Sequence, residues 1–157
     1  MTPMIRLATL DDVDELARLR FHLYTEYTPS IAETFDAYHA RFAPFARDAL
    51  ADVDRWRAWV AEDGGRLVGA MWLQTVPRVP APGREDPRPI GYLTNAYVEP
   101  PLRGQGLGAG LLAEVVAYCE ANAFELIVAW PADDAYGFYE RAGFERPRDP
   151  VVRWLAR

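Results

Sequence analysis

The sequence VEPPLRGQGLGAGLLAEVV, residues 98–116, passes from a β-strand pattern to a helix pattern through a run of glycines. Gly104, Gly106, Gly108 and Gly110 lie where the helix pattern begins. Glycine in a helix costs about 1 kcal/mol relative to alanine, so these positions must gain something from a bare backbone. The unpaired N–H groups at the start of a helix bind anions, and phosphate is therefore the first ligand to consider for this turn.

The segments on either side of the turn predict two parallel strands joined by a helix. Residues 90–98 read as a strand, residues 106–121 carry an apolar face at helical spacing, and residues 124–130 form an apolar run typical of a buried strand. Such a unit forms a right-handed parallel crossover. Asn122 is predicted to end the helix, and Cys119 falls on its apolar face, where a buried thiol is expected.

The N-terminal half predicts one strand and two helices. A strand at residues 4–8 is followed by a capping box, with Thr9 as the cap and Asp12 three residues later, and then by the first helix. A second helix is predicted over about residues 33–51, with Pro44 expected to kink or split it.

The remaining segments complete a mixed sheet. The runs WRAWVAE and RLVGAMWLQ are joined by Asp63-Gly64-Gly65, a strong hairpin signal, and the five prolines of residues 77–89 predict an extended loop. A short helix at about residues 135–142 and a final strand are expected near the C-terminal end. The predicted fold class is α/β, a mixed, mostly antiparallel central sheet flanked by helices with one parallel βαβ crossover. The length fits a single domain over residues 1–157.

The composition argues against several classes of function. Half of the residues are hydrophobic and the net charge is −6, which disfavours nucleic-acid binding because that function needs clustered positive charge. No apolar run has the roughly 20 residues of a membrane helix, and the N-terminal residues do not resemble a signal peptide, so no membrane association and a cytoplasmic location are expected. His22 and His39 are far apart and Cys119 is the single cysteine, so no metal site is expected.

Three phosphate-binding patterns compete for the glycine turn. A Walker loop needs a lysine, and this chain contains none. A dinucleotide fingerprint needs another glycine spacing and a second mononucleotide-binding half, for which too few residues follow. The third pattern, R/Q-x-x-G-x-G/A, is matched by Arg103-Gly104-Gln105-Gly106-Leu107-Gly108. A turn that only packs the helix on the sheet remains an alternative.

With this motif after LTNAYVEPP and before FYERAGF (residues 138–144), the chain resembles the GNAT superfamily of N-acetyltransferases. The resemblance covers nearly the whole chain in element order and is most specific from Tyr92 to Phe144. It implies that the turn holds the pyrophosphate of coenzyme A, mostly through backbone groups. The residues carried over are Arg103, Gly104, Gln105, Gly106, Leu107, Gly108 and Ala109.

The resemblance also assigns roles along the preceding strand and the last helix. The pantetheine arm would lie between the diverging parallel strands and pair with the backbone of Ala96 and Val98. The N–H of Ala96 would polarise the thioester carbonyl, and Tyr139 would be the general acid that protonates the departing thiolate. An aromatic that only fills space under the short helix is the alternative for Tyr139.

Two positions depart from the family pattern. Many relatives place a glutamate general base on the strand, where this chain has Tyr92, and an asparagine seven residues before the tyrosine, where it has Ala132. The base is therefore open between Tyr92, a carboxylate such as Glu26, and a chain of water molecules. A substrate amine that is already partly neutral would need no dedicated base.

The acceptor site is expected at the end of the first helix and along the strand at residues 90–98. Tyr24, Glu26 and Tyr27 would recognise an amine by charge and cation–π contact, although a solvated helix end explains them nearly as well. Asn95 and Tyr92 are further substrate-contact candidates, with internal hydrogen bonding as the alternative for Asn95.

The sequence thus predicts an acetyl-CoA-dependent N-acetyltransferase acting on a primary amine of a small molecule or a peptide N-terminus. Acetyl-CoA would be the co-substrate, and no metal, nucleic acid or membrane would be needed. The alternative is a non-catalytic domain that binds coenzyme A as a sensor or assembly module. Dimers are common in the family, so a homodimer is compatible with the resemblance.

Overall fold

The central sheet of the computed structural model contains five strands within the described residues, 2–146 and 151–155. The strands and α-helices in chain order are β1 (Met4–Leu7), α1 (Val13–Tyr27), α2 (Phe35–Ala51), β2 (Trp56–Asp63), β3 (Arg66–Val76), β4 (Ile90–Val98), α3 (Leu107–Ala121), β5 (Leu126–Ala129) and α4 (Tyr136–Arg141). Short 3₁₀ turns at Leu10–Asp12 and Pro100–Leu102 precede α1 and α3.

The strands lie side by side in chain order, and only β4 and β5 are parallel. The hairpin between β2 and β3 turns on Gly64 and Gly65, whose φ angles of 58° and 81° suit glycine and match the twist of the two strands. The helix α3 makes the crossover from β4 to β5. The predicted α/β class, with a mostly antiparallel sheet and one parallel crossover, is confirmed.

Alternation along the strands divides the core into two clusters on opposite faces of the sheet. Val60 packs with α1 and α2, whereas its neighbours Trp59 and Ala61 pack with α3 and α4. The first cluster is rich in aromatic rings, and Trp72 of β3 contacts both Phe42 and Phe45 of α2. Strand β4 contributes to both clusters and therefore lies between the two helical layers.

Strands β4 and β5 pair over only part of β4. The parallel register joins residues 90–93 to residues 126–129, and β4 then continues to Val98 after β5 has ended. A β-bulge follows the paired segment, because Asn95 and Ala96 together oppose one residue of β3. Asn95 has a φ of 55°, a left-handed conformation that asparagine tolerates better than most residues. The second half of β4 is thus free of β5 and locally redirected.

A split in α2 and a final strand are not observed in the described residues. Pro44 does not split α2, which runs unbroken from Phe35 to Ala51; Phe42 and Ala43 before it and Ala46 after it are buried, so packing anchors the helix on both sides of the proline. The strand predicted after Gly143 is not formed in residues 151–155, whose side chains are exposed and pair with no strand in the described chain; residues 147–150 lie outside it.

Other local predictions are confirmed. Thr9 and Asp12 form the capping box, Asn122 ends α3 with its side-chain amide donating to the carbonyl of Tyr118, and Cys119 is buried. Residues 77–89 form a loop without a strand of the central sheet. Among the described helices, none combines the length and the apolar character needed to cross a membrane.

Candidate active site

The turn between β4 and α3 depends on two glycines with left-handed backbone. Gly104 has a φ of 75° and Gly106 a φ of 82°, and Gly106 is the N-terminal cap residue of α3. A Cβ atom at either position would have no neighbour within 4 Å. These two glycines are therefore required by conformation rather than by packing, and the surface above them is open to a ligand.

Backbone N–H groups of this turn precede the hydrogen-bonded part of the helix. The first helical bond joins the N–H of Gly110 to the carbonyl of Gly106 at 2.9 Å. The N–H groups of residues 107–109 therefore lack a partner one turn earlier within α3, and the helix dipole adds positive potential at the same place. Together with the open space over Gly104 and Gly106, this forms a backbone cradle suited to an anion.

Gly108 and Gly110 serve packing instead. A Cβ atom at Gly108 would lie 3.3 Å from Cε2 of Phe138 on α4, and one at Gly110 would lie 2.7 Å from Cδ1 of Ile5 on β1. The resemblance includes Gly108 in the pyrophosphate turn, and the space left by its missing side chain is taken by Phe138. The four glycines therefore divide into a conformational pair and a packing pair.

The far end of β4 directs a carbonyl group away from β3. The N–H of Glu99 donates to the carbonyl of Val68 at 2.9 Å, so the carbonyl of Val98, in the same peptide, points the other way. It accepts a hydrogen bond from Nε of Arg103 at 2.9 Å. Strand alternation directs the backbone of Ala96 to the same side as that of Val98. This is the side on which β5 pairs with the first half of β4 and no longer pairs with the second.

Arg103 connects the turn to the end of α1. Its guanidinium binds Glu26 through both carboxylate oxygens at 2.6 and 2.8 Å and lies over the ring of Tyr97. The hydrogen bonds from Arg103 lower the pKa of Glu26 below its ordinary value. Glu26 is consequently a poor proton acceptor, and the side chain of Arg103 is committed to the protein.

The end of α1 also lies near the segment between β5 and α4. Burial raises the pKa of Tyr27, and the negative charge of Asp134 raises it further. Asp134 lies in the segment that follows β5, and its charge acts on Tyr27 from there. Tyr27 and Asp134 therefore bring the end of α1 close to the segment that follows β5.

Tyr139 is held by the way α4 ends. Gly143, with a φ of 87°, lets the N–H of Phe144 donate to the carbonyl of Tyr139 at 3.1 Å, which is the Schellman arrangement. The same reversal brings the rings of Phe144 and Tyr139 to 5.4 Å, and Phe138 contacts Tyr139 at 5.0 Å. The residue is 8% exposed, and burial raises the pKa of its hydroxyl, which keeps it protonated at neutral pH.

The bulge residue Asn95 binds Arg20 of α1. Nη1 of Arg20 donates to Oδ1 of Asn95 at 3.0 Å, and Nη2 donates to the hydroxyl of Tyr24 at 3.3 Å. The guanidinium also lies 4.6 Å from the centre of the Tyr24 ring. Asn95 is thus hydrogen-bonded within the protein, and the face of Tyr24 expected to receive a substrate amine is occupied by Arg20. The sequence feature that could have identified Arg20 is its position within the apolar stripe of α1.

Tyr92 lies in the paired half of β4. It is opposite Val128 of β5, and its ring meets that of Trp130 edge-on at 5.2 Å. Trp130 follows the last residue of β5 and is exposed. The two rings form an aromatic border next to the point at which the strands separate.

Two hollows of the described chain lie elsewhere. One, of about 330 Å³, is lined by Arg84, Asp86, Arg88 and Glu125, and another, of about 350 Å³, is lined by α1 and α2 around His39. Neither includes a residue of the glycine turn. The candidate site is identified by its backbone groups, those of the outer half of β4 and of the turn that follows it.

Known proteins resemble this chain in sequence and structure. The model of a family described as "Acetyltransferase (GNAT) family" matches residues 16–144. An uncharacterized N-acetyltransferase of Methanocaldococcus jannaschii is 26% identical over 98% of this chain and 65% of its own length. A glucosamine 6-phosphate N-acetyltransferase of Trypanosoma brucei brucei is 28% identical over 51% of this chain and 52% of its own length. The chain spans 28 to 65% of the length of the curated relatives that it matches.

Solved structures share the fold. A predicted acetyltransferase from Clostridium acetobutylicum, described with acetyl-CoA, has a TM-score of 0.79 at 20% identity, over 98% of this chain and 96% of that one. A GCN5-related N-acetyltransferase from Ralstonia eutropha has a TM-score of 0.77 at 24% identity, over 98% of this chain and 99% of that one. At these identities the similarity establishes the fold.

Proposed function

This chain belongs to the acetyltransferase (GNAT) family, and we propose that it transfers an acetyl group from acetyl-CoA to a primary amine of a small molecule or a peptide N-terminus. The observation that carries the proposal is the backbone cradle at Gly104 and Gly106, located where β4 has left β5. A phosphate-binding turn and a strand with one free edge together suit a diphosphate joined to an extended arm.

The residues of the turn fit the pyrophosphate of coenzyme A. A side chain is missing at the two left-handed positions, the space above them is open, and the N–H groups of residues 107–109 lack helical partners. We expect these amides, with that of Gln105, to bind the phosphates, while Ala96 and Val98 bind the pantetheine arm. When bound, the coenzyme supplies an acetyl group activated as a thioester.

The chain supplies two groups for the transfer. Charge develops on the acetyl oxygen as the amine nitrogen bonds to the carbonyl carbon, and we expect the N–H of Ala96 to stabilise that charge. As the carbon–sulfur bond breaks, the hydroxyl of Tyr139 donates its proton to the leaving sulfur. The raised pKa of Tyr139 ensures that the proton is present before the reaction.

The amine must also lose a proton. Glu26 is unsuited to accept it because Arg103 lowers its pKa and binds both of its oxygens. We infer that the amine attacks in its neutral form, that its nitrogen then releases one proton to water as the amide forms, and that Tyr139 regains from water the proton it gave to the sulfur. This predicts a rate that increases with pH until the substrate amine is fully neutral.

The direct test is release of free coenzyme A thiol from acetyl-CoA in the presence of a panel of primary amines. The proposal predicts amine-dependent thiol release with one N-acetyl product per thiol. Binding of acetyl-CoA without release for any amine or peptide would instead support the non-catalytic sensor or assembly module. Absence of coenzyme binding would refute both.

A further inference from the structure

Arg20 is surrounded by side chains from three different elements. The guanidinium from α1 donates to Asn95 of β4 and to Tyr24, one helical turn further along α1. Burial raises the pKa of Tyr38 on α2 to about 12, against the lowering effect of the nearby charge of Arg20. All three neighbours are neutral groups with hydrogen-bonding capacity.

Other arginines in this part of the molecule differ in having carboxylate partners. Arg6 binds Asp12 and Glu62, Arg18 binds Glu15 and Glu99, and Arg103 binds Glu26, at distances of 2.6 to 2.8 Å. For Arg20, no carboxylate oxygen of residues 2–146 or 151–155 lies within 4.0 Å.

A half-buried guanidinium with neutral partners retains its charge and an incomplete set of acceptors. Guanidinium has five N–H donors in a planar fork that matches carboxylate and phosphate. The hydroxyl of Tyr24 accepts from that fork and can still donate to an anion, and the hydroxyl of Tyr38 nearby is a further donor. The cluster therefore has the donors and the charge of an anion site.

The position of the cluster connects it to the acceptor side of the proposed reaction. Asn95 lies two residues beyond Leu93, the last residue of β4 that pairs with β5, and next to Ala96. The Arg20 cluster is on the α1 and α2 face of the sheet, whereas Tyr139 and the start of α3 belong to the opposite face. An acceptor bound at Arg20 would approach β4 from the face that the coenzyme turn does not use.

We propose that Arg20, with Tyr24, Tyr38 and Asn95, binds an anionic group of the acceptor, so that the substrate is an amine that also carries a carboxylate or a phosphate. This inference rests on the proposed function and specifies its substrate class. It replaces the expectation that acidic and aromatic side chains at the end of α1 recognise a purely cationic amine.

The test uses pairs of amines that differ in one anionic group. Phenethylamine is compared with phenylalanine for a carboxylate, and ethanolamine with O-phosphoethanolamine and glucosamine with glucosamine 6-phosphate for a phosphate. Each compound is assayed with the wild-type protein, Arg20→Gln, Arg20→Lys and Arg47→Gln. Arg47 is exposed on α2, so its replacement removes an equal charge away from the cluster.

We expect wild type to favour the anionic member of at least one pair by 10-fold or more in kcat/KM. Arg20→Gln should lower kcat/KM for that compound by about 10- to 100-fold, mainly through KM, because a charge-assisted hydrogen-bonded contact is lost. For the neutral member of the pair, kcat/KM of Arg20→Gln should stay within about 2-fold of the wild-type value. For the anionic compound, kcat/KM of Arg20→Lys should lie between the values of wild type and Arg20→Gln. Arg47→Gln should behave as wild type.

A binding measurement separates this inference from the proposed reaction. The same compounds are titrated by calorimetry against protein saturated with free coenzyme A. If no amine is acetylated but anionic compounds bind in an Arg20-dependent way, the anion site stands and the proposed reaction fails. The inference is wrong if neutral amines are acetylated and an anionic group improves neither acetylation nor binding. It is also wrong if the advantage of the anionic compounds persists in Arg20→Gln while the melting temperature of that variant is unchanged.

Discussion

The two sides of the outer half of β4 are built in different ways. The side facing the start of α3 is made of backbone groups from a short continuous segment, with Gly104 and Gly106 in left-handed conformation and the N–H groups of residues 107–109 beyond them. The side facing α1 and α2 is made of side chains, Arg20, Tyr24, Tyr38 and Asn95, brought together by the tertiary fold.

The difference follows from what each side has to bind. A diphosphate is the same in every molecule of coenzyme A, and a backbone cradle presents fixed donors that a change of side chain leaves in place. An acceptor varies from one enzyme to another, and side chains from separate elements provide that variation. We therefore expect substitutions at the two sides to act on different kinetic quantities.

The largest effect is predicted for Tyr139→Phe. Loss of the proton donor should lower kcat by about 100-fold or more, while the affinity for coenzyme A and the KM for the amine change little. Tyr136→Phe, in the same helix, is the matched control and should retain full activity. An unchanged kcat in Tyr139→Phe would mean that Tyr139 has a packing role only and does not protonate the leaving sulfur.

Gly106→Ala tests whether the cradle depends on backbone conformation. A non-glycine residue in the left-handed region costs roughly 1–2 kcal/mol, so the turn should relax and bind acetyl-CoA about 10-fold more weakly. Gly108→Ala, where φ is ordinary and the new Cβ meets Phe138, should change the affinity by less than about 2-fold. Equal losses of affinity in both variants, measured by calorimetry, would contradict the division of the four glycines.

The ends of α3 and α4 offer a matched pair for stability. Both have the Schellman bonds, but Gly143 (φ 87°) provides the left-handed residue in α4 and Ala123 (φ 55°) provides it in α3. Gly143→Ala should destabilise the fold by about 1 kcal/mol and also lower kcat, because the position of Tyr139 depends on this end. Ala123→Gly should stabilise the protein by about 0.5–1 kcal/mol without a change in activity. Thermal unfolding gives the change in stability of each variant, and steady-state kinetics gives its kcat. A change in stability of the same sign in both variants would contradict this prediction.

The smallest effect concerns the ion pair that joins the two sides, Glu26 with Arg103. Because the folded pKa of Glu26 is lowered, the stabilisation is fully present above its ordinary pKa of 4.5 and is lost as the pH falls through the folded value. Both side chains are partly exposed, so the difference between wild type and Glu26→Gln should stay below about 1 kcal/mol at pH 7. Melting temperatures that differ as much at about pH 3 as at pH 7 would contradict this origin.

The parts of the molecule that were predictable from the sequence are those whose cause is local. Strand β4 begins and ends at the predicted residues 90 and 98, and the turn after it follows from glycine spacing. The role of Gly143 in holding Tyr139 is likewise contained in a few consecutive residues. In each case a conformational requirement restricts which residue type can occupy the position.

The parts that were missed depend on tertiary contacts. Pro44 lies in an unbroken helix because buried neighbours anchor the helix on both sides of it. Arg20 pairs with Asn95, which is 75 positions away, and no local pattern indicates that its partners are neutral. Glu26 is a poor candidate for the base because it binds Arg103, which is 77 positions further along the chain. This contact, too, depends on the tertiary fold.

The most direct test of the central claim, that the glycine turn holds coenzyme A, is a thermal-shift titration with acetyl-CoA, free coenzyme A and NADH in parallel. A ligand at 100 times its dissociation constant stabilises the folded protein by about 2.7 kcal/mol, which raises the melting temperature by several degrees in a chain of this size. The account predicts this shift with both forms of coenzyme A and none with NADH. No shift at millimolar concentrations of either form, or a shift with NADH alone, would contradict it.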